Sequence, residues 1–319
     1  MNTKYAIATV VIIALIAAAA FIYVYYQGQP DEQTEALHNL IDDTGYKTSL
    51  DVLPTKIISL APSATEIAFA LGLDDKIVAV SDYCDYPYNF SAWITAGNIS
   101  SIGDFTNPNM EVIAALTPDL IIATGGVQVE TVDTLRALDY KVIVLNPSNV
   151  SGVLNNIELV GNATGKIAEA ETLIDSLNSR IDTVATTVAN AESTPKVYYE
   201  VYYETTSAWT IGELAYQNEL IEKAGGTNIF GDQQKEYYQY QVEALIARNP
   251  DIILIPDSGM GTGSAVSVDD VKARPAWDTT NAVKNDRIYQ IDPNLLERSG
   301  PRILDAIEQL AEFFHPELF

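Results

Sequence analysis

The sequence predicts an α/β protein: two Rossmann-like α/β lobes joined by one long helix, behind an N-terminal transmembrane helix. Three observations carry this prediction. After Pro54, short β-branched runs alternate with helical patterns, as in parallel sheets covered by helices. From about Ser151 to Asn190, apolar residues recur at three- and four-residue spacing without a proline. Last, NMEVIAALTPDLII (109–122) aligns without gaps onto QVEALIARNPDIIL (241–254), so one helix–turn–strand unit occurs twice. A chain of 319 residues, 47% hydrophobic, can supply the two cores this requires.

Residues 1–28 read as a signal anchor. Tyr5 to Tyr26 is apolar or aromatic except for Thr9, and at about 1.5 Å per residue it spans the roughly 30 Å of a bilayer core. Lys4 precedes it and Asp31, Glu32 and Glu35 follow, which places the remainder outside the cytoplasm. A cleaved signal peptide, with a small-residue site at Ala17–Ala20, is the competing reading. No cysteine follows the run that could carry a lipid. Residues 29–53 are polar and acidic and read as a tether.

Residues 54–148 form the predicted N-terminal lobe, with strands at KIISL (56–60), IVAV (77–80), DLIIA (119–123) and KVIVL (141–145). Ser63 and Glu66 have capping-box spacing ahead of an apolar run, so Glu66 reads as structural. Residues 149–192 are the interlobe helix, weakened by Gly152 and Gly161 and bent near Gly165. Residues 193–319 form the second lobe, with KVYYEVYY (196–203), a helix around 213–224, DIILI (251–255), RIYQI (287–291) and a closing helix around 300–314.

Composition excludes several functions. A net charge of −25, from 43 acidic against 18 basic residues, opposes nucleic-acid binding and reads as a solvated acidic surface. Cys84 is the only cysteine and His38 and His315 the only histidines, so neither a disulfide nor a thiol- or imidazole-rich metal site is expected. The stretch SGMGTGS (258–264) follows the strand DIILI, but a dinucleotide fingerprint needs glycine where Ser264 stands. There is no P-loop and no G-x-S-x-G elbow either, so a nucleotide-binding enzyme is the disfavoured alternative and no catalytic residue is assigned. Sequons begin at Asn89, Asn98, Asn149 and Asn162, as suits an exported chain.

The segments KIISLAPSATEIAFALGLDDKIVAVSDYCDYP (56–87), GDFTNPNMEVIAALTPDLIIATGG (103–126), AGGTNIF (224–230), QVEALIARNPDIILI (241–255) and LLERSGPRILDAIEQLAEFFHPE (295–317) resemble the cobalamin- and iron-complex-binding proteins of ABC importers. The resemblance implies two lobes bridged by a rigid helix and a ligand held in the cleft between them. It also implies a monomer that catalyses nothing, needs no cofactor and delivers its ligand to a permease and ATPase. The pattern is closest to cobalamin-binding members, with a ferric siderophore or haem as the alternative ligand.

The resemblance further assigns permease docking to one acid per lobe, Glu111 and Glu243, which the repeat aligns; by residue type alone they are first-turn helix acids. It places Tyr83, Phe105 and Tyr237 in the pocket, with Trp209, Tyr238, Asn294 and Arg298 as further candidates and Arg302 as a capping or pairing residue. Phe105, Tyr237 and Thr124 stand where cobalamin-binding relatives often carry tryptophan. The late second lobe offers only Arg274, Arg287, Arg298 and Arg302 to an anion, which favours a near-neutral corrinoid.

Overall fold

The β-branched runs become two separate parallel sheets in the computed structural model, which describes Leu37 and residues 39–204, 207–257 and 266–319. The apolar run 5–26 and the glycine-rich stretch 258–264 lie outside the described residues. Among those described, no helix is long and apolar enough to cross a membrane.

The first described strands, β1 (Leu40–Ile41) and β2 (Lys47–Thr48), pair as a small antiparallel hairpin. This corrects the expected tether through residue 53. The acids that suggested a solvated linker instead bind backbone of the first lobe: Asp42 Oδ2 accepts from Val144 N at 3.0 Å, and Asp43 Oδ2 accepts from Asn146 N at 2.6 Å. Arg136 pairs with the buried Asp42, and Leu40 and Leu50 enter the core.

The first lobe runs β3 (Ile57–Ser59), α1 (Pro62–Ala70), β4 (Ile77–Val80), α2 (Phe90–Thr95), β5 (Ser100–Ser101), α3 (Met110–Leu116), β6 (Leu120–Thr124), α4 (Val129–Ala137) and β7 (Val142–Leu145). Its five strands are all parallel, in the order β5-β4-β3-β6-β7. All four residues of β7 are buried, as expected of a strand covered on both faces. The expected capping box is not formed. Helix α1 starts with Pro62 in its first turn after N-cap Ala61, a start for which proline's fixed φ is suited, and this carries Ser63 and Glu66 inside the helix, both buried.

Two helices, not one, link the lobes. Asn149 caps α5 (Val150–Thr164) by accepting from Gly152 N, and Gly165, with φ at +73°, ends it; α6 (Ile167–Val188) follows. The left-handed residue turns the chain sharply. A Cβ on Gly161 would stand 2.6 Å from that of Ala170, so only a glycine lets the first turn of α6 lie so close.

The second lobe contains β8 (Lys196–Tyr199), β9 (Tyr202–Glu204), β10 (Ser207–Ile211), α7 (Tyr216–Lys223), β11 (Thr227–Asn228), β12 (Tyr237–Tyr240), α8 (Val242–Arg248), β13 (Ile252–Pro256), α9 (Val268–Lys272), α10 (Asn281–Lys284), β14 (Ile288–Ile291), α11 (Pro293–Glu297) and α12 (Ile303–Phe314). Strands β11-β8-β13-β14 form a parallel sheet, and β12-β10-β9 an antiparallel one. The tyrosine-rich run 196–203 is therefore two strands in two sheets.

The internal repeat survives in three dimensions. Helices α3 and α8 cover equivalent residues and both end in a left-handed residue, Thr117 (φ 49°) and Asn249 (φ 50°). In each unit the aspartate after proline fastens the neighbouring strand: Asp119 accepts from Lys56 N at 2.9 Å and Asp251 from Lys196 N at 3.0 Å. One apolar cluster runs from Ile57 and Ile67 of the first lobe through Ile157 and Leu177 of the linking helices to Leu220 and Ile307 of the second.

Candidate functional site

Loops following the first lobe's strands present Tyr83 and Phe105, whose rings meet edge to face at 5.3 Å. Tyr83 is half exposed, and its hydroxyl donates to Asp104 Oδ2 at 3.1 Å. Asp104 Oδ1 accepts from Thr106 N at 2.7 Å and Asn107 N at 3.1 Å, and the bonds to Thr106 hold its carboxyl below the ordinary range. Gln128, fully buried, anchors the same loop from beneath. It donates to Phe105 O at 2.6 Å and Leu60 O at 3.0 Å, and accepts from Thr124 N at 2.8 Å.

The antiparallel sheet presents the second lobe's aromatics. Residues directly opposite in such a sheet share a face. Trp209 lies opposite Gln239 and Tyr202, and Ile211 opposite Tyr237, so Trp209, Tyr202 and Tyr237 stand on one face. Trp209 and Tyr237 are exposed there. Tyr238 points the other way, with its ring 5.6 Å from that of Phe230, against the second lobe's core. Tyr202 joins this face although the sequence did not single it out.

The two sets meet at Glu297 and Arg298. Tyr199 donates to Glu297 Oε1 at 2.7 Å, Gln217 to Oε2 at 3.0 Å, and Tyr237 is hydrogen-bonded to the same carboxylate. Arg298 turns into the first lobe, where it donates to Tyr83 O at 3.2 Å and pairs with Asp85. Asn294 is half-buried in the first turn of α11, its backbone N–H bonded to Asp292.

Beneath this junction lies a buried interlobe ion pair. The Glu66 carboxylate, 1% exposed, accepts from Arg302 Nε at 3.0 Å and Nη2 at 2.6 Å, with Arg298 3.5 Å away. Arg302 also stacks over the Tyr86 ring at 4.2 Å. Glu66 therefore joins the lobes and caps nothing, and the pairing partner expected for Arg302 comes from the opposite lobe. Cys84 is buried nearby, its Sγ 3.1 Å from Thr65 Oγ1 and 3.4 Å from Ser81 Oγ, and burial pushes its thiol pKa up.

Every one of the seven arginines is already held. Arg136 pairs with Asp42, Arg180 with Asp305 and Glu308, Arg248 with Asp232, and Arg274 with the buried Glu200. Arg287 donates to the carbonyls of Phe313 and Phe314 at the end of α12, at 3.1 and 2.8 Å. Arg298 and Arg302 form the interlobe contacts just described. The four arginines that the sequence offered to an anionic ligand are thus all engaged.

Glu111 and Glu243 are exposed in the first turns of α3 and α8. A hollow of about 840 Å³ lies away from the aromatics, at the elbow of α5 and α6 between Asn155, Leu159, Ile174 and the β1 strand. Among the described residues no group of three or more His, Cys, Asp or Glu side chains is placed to hold a metal ion.

Residues 57–295 match the periplasmic binding protein family. An uncharacterized ABC transporter substrate-binding lipoprotein of Bacillus subtilis, YvrC, is 32% identical over 296 residues, covering 90% of this chain and 89% of its own. A vitamin B12-binding protein of Vibrio cholerae is 29% identical over 260 residues, 81% of this chain and 88% of its own. Among solved structures, the periplasmic heme-binding protein RhuT of Roseiflexus sp. RS-1 superposes with a TM-score of 0.70 at 26% identity, covering 83% of this chain and 99% of that one.

Proposed function

The chain belongs to the periplasmic binding protein family, and on that premise we propose that it captures a cobalamin-type corrinoid between its two lobes and delivers it to an ABC permease. It is the substrate-binding protein of an ABC importer, a binding protein and not an enzyme, working with a permease and its ATPase. The observation that carries the ligand reading is the engagement of all seven arginines. An anionic iron complex would need a guanidinium released from a partner, and for Arg136, Arg274 and Arg302 that release leaves a buried acid unpaired. A broad neutral macrocycle instead asks for aromatic surface, which Tyr83, Phe105, Trp209 and Tyr237 supply. Relatives named for vitamin B12 and for heme both stand near this chain, so the arginine pairing is what favours the first.

Docking is assigned to Glu111 and Glu243, which the repeat sets at equivalent exposed positions on the two lobes. Anchoring is assigned to residues 5–26. The Bacillus relative is a lipoprotein by name, whereas the one cysteine here, Cys84, is buried within the first lobe and cannot carry a lipid. Calorimetry on the chain lacking residues 1–28 tests the ligand. One-to-one binding of cyanocobalamin with quenched tryptophan fluorescence is expected; heat with haem or a ferric siderophore and none with the corrinoid would transfer the assignment to an iron complex.

A further inference from the structure

The four sequons, which ligand capture and docking leave unused, are not equivalent in the fold. Asn89 and Asn149 serve as helix caps: their side-chain oxygens accept from Ala92 N at 3.1 Å and Gly152 N at 2.7 Å, which turns each carboxamide back onto its own helix. Both also follow the C-terminal ends of parallel strands, β4 and β7, at the end of the first sheet whose loops carry Tyr83 and Phe105. Asn162 is half-buried in the last turn of α5, and the hydroxyl of its Thr164 is buried and donates to Val160 O at 2.7 Å.

Asn98 differs on each count. It is exposed in the turn between α2 and β5, directly after Gly97, where φ is +75° and an added Cβ would meet nothing within 4 Å. Among the described residues, neither the Asn98 carboxamide nor the Ser100 hydroxyl has a hydrogen-bond partner. Strand β5 is the outermost of its sheet, so Ser100 stands on an unpaired edge. Because β5 runs parallel to β4, its start lies at the end of the sheet away from Tyr83 and Phe105.

We propose that Asn98 is the glycan acceptor of this chain, taking an oligosaccharide from a polyprenyl-phosphate-linked donor. In that transfer Asn98 Nδ2 forms a bond to the anomeric carbon and gives up one proton, while the bond from that carbon to the donor's phosphate oxygen breaks and the lipid phosphate departs with the electron pair. Glycosylation of asparagine reads an amide and a hydroxyl two residues on, and of the four sequons only this one leaves both groups free of other bonds. A glycan here shields the β5 edge from pairing with another chain and stands away from the cleft. The inference rests on the extracytoplasmic placement of the lobes, and not on which ligand they hold.

The test is site-resolved mass spectrometry of the full chain isolated from the membranes of its own organism, as wild type and as Asn98→Gln, Ser100→Ala and Ser100→Thr. The wild type should carry a glycan mass on Asn98 and none on Asn89, Asn149 or Asn162. Asn98→Gln and Ser100→Ala should each lose that mass, and Ser100→Thr should keep it, since either hydroxyl completes a sequon. A glycan retained in Ser100→Ala, or found at another sequon in place of Asn98, overturns the proposal. A membrane-impermeant amine reagent applied to spheroplasts reports the placement separately. Labelled lobes with a bare Asn98 overturn this inference alone; unlabelled lobes overturn the extracytoplasmic placement and this inference with it.

Discussion

Burial pushes the Glu297 carboxyl above its ordinary value of 4.5, its hydrogen bonds opposing the shift only in part. The folded chain therefore holds this proton more tightly than the unfolded chain does. Its contribution to stability is fully present below the ordinary value and is lost as pH rises through the raised one. The unfolding free energy of the wild type, relative to Glu297→Gln, should fall as pH rises past the ordinary carboxylate value and through the raised one in urea titrations; parallel pH curves would mean that the carboxyl titrates as if exposed. No local pattern announces Glu297 or Gln128. A buried polar side chain is recognisable only once the surrounding fold has removed water from it, whereas Phe105 and Tyr237 could be named as candidates because the family resemblance picks them out and each stands six residues before an aligned glutamate. Tyr202 stands on the face of Trp209 while Tyr238 packs against Phe230, and the sequence could not say so, since alternation says that neighbours point apart but not which face meets the core.

At the scale of elements, the elbow between α5 and α6 shows why periodicity misled. Apolar residues continue at helical spacing on both sides of Gly165, so the pattern is unbroken although the chain turns. What decides the turn is a backbone angle that glycine adopts without strain and a contact that only glycine leaves room for. Gly161→Val should destabilise the protein by about 1–3 kcal/mol, the usual penalty for overpacking, because its side chain would collide with Ala170 and Lys166 O. Chemical denaturation measures this, and an unchanged midpoint would show that the elbow opens at little cost. The start of α1 was legible in principle: Pro62 suits a first helical position and outweighed the Ser63–Glu66 spacing.

For the whole molecule, the two lobes are held by more than their linking helices. The core is continuous across them, and Arg298 and Arg302 reach from the last part of the chain to Glu66 near its beginning, a partnership that no sequence spacing could reveal. Closure on ligand should be small, with little compaction in solution scattering. Glu66→Ala leaves Arg302 without its carboxylate. It should cost about 3–5 kcal/mol, as removal of one partner of a buried pair does, and should enlarge the compaction seen on adding ligand; equal scattering changes in the two proteins would place the restraint in the apolar core alone. The docking proposed for Glu111 and Glu243 would act on the outer surface. Glu111→Arg with Glu243→Arg should abolish permease-dependent uptake, since like-charge contacts at an interface can cost several kcal/mol, and should leave corrinoid affinity intact. Normal uptake by the double variant would remove docking from these acids, and lost affinity would assign them to the cleft or its support.

The sequestered Cys84 makes these motions open to spectroscopy. With its sulfur buried, bonded to Thr65 and Ser81 and hard to ionise, the native chain should be nearly inert to maleimides. Two cysteines introduced at exposed positions, one on each lobe, would then be the only thiols to take a dye or spin label. The natural protein is in effect already a cysteine-free background, and the distance between its lobes can be followed during transport without altering a native residue of the core.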